Sequence, residues 1–214
     1  ITKRIAEFGL PNTYNEKNEI YYTIVDGDTL TSYTVLEADI ASYYAQALTM
    51  RGYAYSNLIK LYAPTNMQLR GAWADETVCP IYNENNLEDA QPVATLKEAY
   101  QQVENDLTLA ISYFDAFGDT YARASKLNVD GNVARGLLAY SYLNKAVPSL
   151  PSGKGDYTKA LKYAKEVIEK NDFKVIPNDD VLTTGFNDLS NESWMWGPDV
   201  TTETRGGLAS FFGQ

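Results

Sequence analysis

Residues 51–63, RGYAYSNLIKLYA, and residues 135–147, RGLLAYSYLNKAV, decide how this chain is read. Both begin Arg-Gly, both carry Ala-Tyr-Ser, and both run on through apolar residues at three- and four-residue steps, the spacing of one helix face. Around the first, Ile40, Tyr44, Ala47, Leu48, Tyr55, Leu58, Ile59 and Tyr62 form one stripe, so a helix is expected over about 38–62, ended by Pro64. Around the second, Asn128 or Asp130 serves as the N-cap of a helix that carries Leu138, Tyr142 and Leu143 and stops before Pro148.

The helices that follow these two also correspond. TLKE at 95–98 is a capping box: Thr95 accepts from a first-turn N–H and Glu98 reaches back. Tyr100, Val103, Leu107, Ala110, Ile111 and Phe114 share a face, and Gly118 is the stop. The fourth helix has Asp156 as its cap and Ala160, Leu161, Ala164, Val167 and Ile168 as its stripe, up to about Lys170. KEAYQQV at Lys97 reads like TKALKYA at Thr158, with Ala99 over Ala160, Val103 over Ala164, and Asp106 breaking the match at Val167. Two helix-turn-helix units result, with pairs at about 38–117 and 128–170. Gly52, Ala54, Gly136, Ala139, Ala160 and Ala164 let facing helices approach closely while Tyr, Leu and Ile fill the gaps. The expected fold class is mainly α, a single tetratricopeptide-like helical-repeat scaffold over 1–214, with minor β-segments and long loops. EIYYTIVDGDTLTSYTVL around Asp26-Gly27 is a hairpin signal, and NESWMWG reads as a short strand with Trp194 and Trp196 packed on one face.

Composition narrows the function. A net charge of −10, from 18 Lys plus Arg against 28 Asp plus Glu, argues against nucleic acid and anionic lipid surfaces. With no histidine there is no Ser-His-Asp triad, and the single cysteine, Cys79, has neither a disulfide partner nor the usual base beside it. No Gly-x-Ser-x-Gly elbow or Walker loop occurs. Asp26-Gly27-Asp28 and NVDGN at Asn128 lack the spacing of a calcium loop and read as a turn and a cap, so neither metal nor cofactor is expected. No run of eighteen apolar residues exists, and ITKRIAEFGLPN at the start lacks the apolar core of a secretion signal, so the chain reads as mature, truncated or cytosolic.

The succession YSNLIKLYAPT, LKEAYQQVENDLTLAISYF, ASKLNVDGNVARGLLAYSYL and DYTKALKYAKEVIEKNDFKVIP resembles the SusD/RagB family of nutrient-binding outer-membrane lipoproteins of Bacteroidetes, over roughly residues 38–200. That resemblance implies a helical scaffold tethered at the cell surface that binds a glycan or peptide and lids a SusC-like TonB-dependent transporter. It implies a binder, not an enzyme. Family members are longer and carry a lipid-bearing N-terminal cysteine ahead of anything present here, so a partial chain is expected, joined to the membrane only through an anchor outside it. Cys79 is not that cysteine.

The connection over about 63–92 is far longer than a plain repeat needs, and long loops on a compact scaffold often carry function. Sugar binding requires an aromatic face for the apolar side of the ring, with Asp, Asn and Arg for the hydroxyls. Trp73 reads either as that platform or as an anchor of the loop on the helices, with Arg70, Asp75, Tyr82 and Asn83 as hydrogen-bonding partners. The rival to oligosaccharide capture is a scaffold that binds a peptide in its concave groove. A third reading is a glycoside hydrolase using the adjacent Asp75 and Glu76.

Overall fold

The computed structural model describes residues 19–26, 29–63, 75–117, 123, 125–146, 151–171, 173–183 and 188–198. The chain enters through an antiparallel hairpin, β1 (Glu19–Asp26) and β2 (Thr29–Leu36), whose register runs from Glu19 opposite Leu36 to Asp26 opposite Thr29. This is the hairpin expected around Asp26-Gly27. β2 passes directly into α1 (Glu37–Tyr62). Within the long connection lies β3 (Thr77–Pro80), which pairs antiparallel with β4 (Val93–Thr95) and leads into α2 (Leu96–Phe117). α3 (Gly131–Lys145), α4 (Pro151–Asn171) and the single turn α5 (Asn178–Val181) follow.

Side-chain pairs give the helix directions. Tyr44 meets Tyr113 edge-on and Arg51 meets Asp106, so α1 and α2 are antiparallel. Asp115 reaches Arg135 and Glu104 reaches Tyr142, so α3 runs back along α2. Arg135 with Glu166 and Tyr142 stacked on Tyr163 set α4 antiparallel to α3. One core joins them through Tyr44, Leu48, Val103, Leu107 and Leu138, with Leu96 closing the β4 end. Burying each such side chain contributes roughly 1.5–3 kcal/mol.

The capping box forms as expected: the Glu98 N–H donates to Thr95 Oγ1 at 3.3 Å, and the Thr95 N–H donates to Glu98 Oε2 at 2.8 Å. Asp130, not Asn128, caps α3, its Oδ1 accepting from the Asn132 and Val133 N–H groups at 3.0 and 2.9 Å. Asp156 is not a cap. α4 starts at Pro151, early enough to leave Asp156 buried in its second turn, 3.8 Å from Lys145 Nζ.

The repeated Arg-Gly is a repeated device, because each arginine clamps helices together, Arg135 from a buried position and Arg51 from a half-buried one. Arg51 holds α2 through Asp106, whereas Arg135 holds α2 through Asp115 and α4 through Glu166 at 3.1 Å. Asp106, the residue that breaks the match between the second helices, is the counter-ion of Arg51. The shared Ala-Tyr-Ser is not equivalent. Tyr55 follows Arg51 by four residues and is buried, but Tyr140 follows Arg135 by five, about 100° further round the helix, and is exposed. Gly52 is a true close approach, since a Cβ there would lie 2.9 Å from Leu107 Cγ and Cδ2. At Gly136 the nearest atom would be Met195 Cε at 3.8 Å, and Ala54 is exposed.

NESWMWG is not a strand. Residues 188–198 form turns that lie across the face shared by α1 and α3. Trp196 meets Tyr53 edge-on at 5.3 Å and donates Nε1–H to the Leu127 carbonyl at 3.2 Å, and the Gly197 N–H donates to the Lys126 carbonyl at 3.3 Å.

Candidate functional site

Tyr62 ends the α1 stripe, yet it is 64% exposed. Its neighbours explain the position. One turn earlier Leu58 is half-buried, and β3 runs alongside, so the last turns of α1 and the strand enclose an open groove of about 590 Å³. Tyr55, Leu58, Tyr62, Val78, Pro80 and Tyr82 are its principal walls, with Arg51, Ala54 and Cys79 completing the lining. Its volume lies within the range of small-molecule sites. Strict strand alternation would send Val78 and Cys79 to opposite faces, but the register slips between Thr77 and Cys79, and both line the groove.

The far wall is built by a loop whose asparagines hold its shape. Asn83 Oδ1 accepts from the Asn85 N–H at 2.9 Å, and Asn86 Oδ1 accepts from the Asn83 N–H at 2.8 Å while its amide donates to the Ile81 carbonyl at 3.1 Å. Tyr82 is clamped by Tyr55, whose hydroxyl accepts from the Tyr82 N–H at 2.7 Å and donates to the Tyr82 carbonyl at 3.1 Å. The Tyr82 hydroxyl in turn accepts from the Gln91 N–H at 3.4 Å. Glu84 anchors the same loop to α1 through Arg51 Nη1 at 2.6 Å and accepts from the Tyr44 hydroxyl at 3.4 Å.

Electrostatics follow from this packing. Burial alone would raise the Glu84 carboxyl, but the hydrogen bond and charge of Arg51 outweigh it and hold the group below its ordinary value. Burial and the neighbouring Glu84 push the Tyr44 phenol up to about 12. Burial likewise raises the Cys79 thiol, which is a packed neutral group rather than a nucleophile. No group of three or more metal-ligating side chains occurs among the described residues.

Of the site residues expected from sequence, Tyr82 lines the groove. Asn83 lies in the adjoining turn with its side-chain oxygen engaged there, and Asp75 is exposed just before β3. Arg70 and Trp73 lie outside the described residues, in the segment that leaves α1 beside Tyr62 and re-enters before β3. Asp75 and Glu76 precede β3 side by side, and neither is among the described residues that line the groove.

A family model described as starch-binding and associating with the outer membrane, SusD-like, matches residues 11–138 of this chain. The chain belongs to the SusD-like family. Among solved structures it is similar to a SusD-like carbohydrate binding protein from Bacteroides vulgatus, at 25% identity and a TM-score of 0.63, over 78% of this chain and 32% of that one. It is also similar to a SusD superfamily protein from Bacteroides thetaiotaomicron, at 20% identity and a TM-score of 0.55, over 85% of this chain and 32% of that one. This SusD-like chain therefore spans about a third of the length of either structure. No curated protein matches its sequence. No helix among the described residues is long and apolar enough to cross a membrane.

Sequence reasoning missed Tyr55, Leu58 and Tyr62 of the SusD-like groove because all three sit on the stripe assigned to the core. One signal was available. A helix that delivers a tyrosine to its last turn just before a long connection has no following turn to cover that ring.

Proposed function

We propose that this chain is part of a cell-surface, outer-membrane nutrient-binding protein that captures an oligosaccharide and passes it to a SusC-like TonB-dependent transporter, without chemistry of its own. The groove beside β3 carries the reading. Tyr62 and Tyr82 offer aromatic faces in an open, largely apolar trough, the surface that the C–H side of a sugar ring requires. Arg70 and Trp73, in the sequence that connects α1 to β3, together with Asp75 and Asn83, are the residue types that sugar hydroxyls and ring faces call for, and they belong to the proposed site. The description of the matching family as starch-binding and the carbohydrate-binding relative from Bacteroides vulgatus support this reading.

The peptide-scaffold alternative has less room. Its groove would be the face shared by α1 and α3, which this chain's own residues 188–198 cover through Trp196 and Met195.

Affinity electrophoresis against a panel of polysaccharides tests the proposal, with Tyr62→Ala and Trp73→Ala run beside the wild type and circular dichroism checking that each is folded. At least one glycan is expected to retard the wild type and to retard both variants less. Failure of every glycan to retard the wild type would sink the reading.

A further inference from the structure

α1 and α3 each run antiparallel to α2, so they are parallel to one another and share a face. Residues 188–198 cover that face beside Tyr53 and Gly136. About one turn further along both helices lies a separate pocket of about 40 Å³, to which α1 gives Ser56 and Ile59, α2 gives Tyr100, and α3 gives Leu137, Ser141 and Asn144. Ser56 and Ser141 are the serines of the two Ala-Tyr-Ser stretches, so the repeated motif brings one serine from each helix to a single pocket although its tyrosines are not equivalent. We infer that this pocket is a hydration site, in which ordered water bonded to both serines joins α1 to α3.

The Ser56 hydroxyl demands a partner. Its Oγ is enclosed, and it is the one buried side-chain polar atom among the described residues that bonds nothing. Thr49, two turns earlier on the same helix, shows the usual solution, donating its hydroxyl to the Ala45 carbonyl at 2.8 Å. A buried hydroxyl left without a partner is strongly disfavoured, and nearly all such groups in folded proteins bond either protein or ordered water. Ser141 is buried on the same pocket, yet no direct bond joins it to Ser56.

Size and lining select the occupant. At roughly 10–15 Å³ for each water the pocket has room for two or three, whereas small-molecule sites start at roughly 300 Å³. Cavities that stay empty are apolar, but two serines, the Asn144 amide and Tyr100 line this one, and a buried water makes about three hydrogen bonds. Ser56 follows Tyr55 by one residue, about 100° round the helix, so the turns of α1 that wall the groove are backed on another side by this water.

The test is urea unfolding of the 214-residue chain as wild type, Ser56→Ala, Ser141→Ala and the double variant, beside a crystal structure at a resolution that shows ordered water. Each single change is expected to lower the folded-to-unfolded ratio about fivefold, and the double change by clearly less than the roughly 25-fold product, because both serines hold the same water. A dry pocket predicts the opposite sign for Ser56→Ala, since the change would delete an unpartnered buried hydroxyl and install the better helix former. Unchanged or raised stability of Ser56→Ala therefore overturns the inference, and so do additive losses. The crystal structure is expected to show water within hydrogen-bond distance of both hydroxyls. A Ser56 Oγ bonded to a backbone carbonyl, or water on only one of the two serines, overturns it as well.

Discussion

The hydroxyl of Tyr55, one turn beyond Arg51 in α1, holds both backbone groups of Tyr82, accepting from its N–H at 2.7 Å and donating to its carbonyl at 3.1 Å. A core tyrosine thereby sets the position of a residue in the groove wall. Tyr55→Phe keeps the ring in the core but leaves two polar backbone groups without their partner, at a cost of about 1–3 kcal/mol, read as a lowered urea midpoint. For glycan binding, Tyr55→Phe is expected to weaken the wild type and to have no further effect in a Tyr82→Ala background. Additive losses would show that Tyr55 acts by another route.

Asp106 is nearly inaccessible and takes two of the three guanidinium contacts of Arg51. Asp106→Ala leaves that cation largely buried with Glu84 alone, so a destabilisation of about 3 kcal/mol is expected in chemical denaturation. Replacing both partners by apolar residues, Arg51→Met with Asp106→Leu, should cost less than the single change, because no charge is then stranded.

The two glycines of the Arg-Gly pairs should respond with opposite sign. Gly52→Ala places a methyl 2.9 Å from the fully buried Leu107 and should destabilise by about 1–3 kcal/mol. Gly136→Ala meets only Met195 at ordinary contact distance, and the better helix former should stabilise by about 0.5–1 kcal/mol. Thermal unfolding of the two variants beside the wild type decides both.

Glu84 ties the groove loop to α1 in its ionised form. Its carboxyl is depressed in the folded state, so the stability it contributes is fully present above the ordinary carboxylate value of 4.5 and is lost as pH falls through the lower folded value. Glu104, also depressed because hydrogen bonding to Tyr142 and the Lys145 and Lys159 charges outweigh burial, titrates in the same direction. The difference in stability between wild type and Glu84→Gln, followed from pH 7 to pH 3, isolates the first contribution and should shrink below the ordinary carboxylate value. A constant difference would mean that Glu84 is not ionised against Arg51.

Much of the helical frame was legible because its signals are local. The Thr95–Glu98 box, the Asp130 cap, Pro64 and the three- and four-residue apolar steps each act within a turn or two of their own position. The start of α4 was misplaced because Asp156 is a good cap type, yet its carboxylate lies near Lys145 across the helix pair, a contact that no local pattern encodes. The strand assigned to NESWMWG failed for a related reason. Alternating tryptophans suit a pleated surface, but no strand among the described residues pairs with this stretch, and Trp196 packs on Tyr53 and bonds the Leu127 carbonyl instead.

By itself the sequence determined the order of the long helices among the described residues and the absence of histidine-dependent chemistry. These depend on residue type and short-range spacing. Only the tertiary structure decided that Arg51 and Arg135 are clamps with different partners, that the two Ala-Tyr-Ser stretches face different ways, and that Tyr55, Tyr62 and Tyr82 share one groove. Side chains 20 or more residues apart meet only through the packing of the helices that carry them. A charge pair such as Arg51 and Asp106 forms only where that packing brings the two helices together and shields the ions from water.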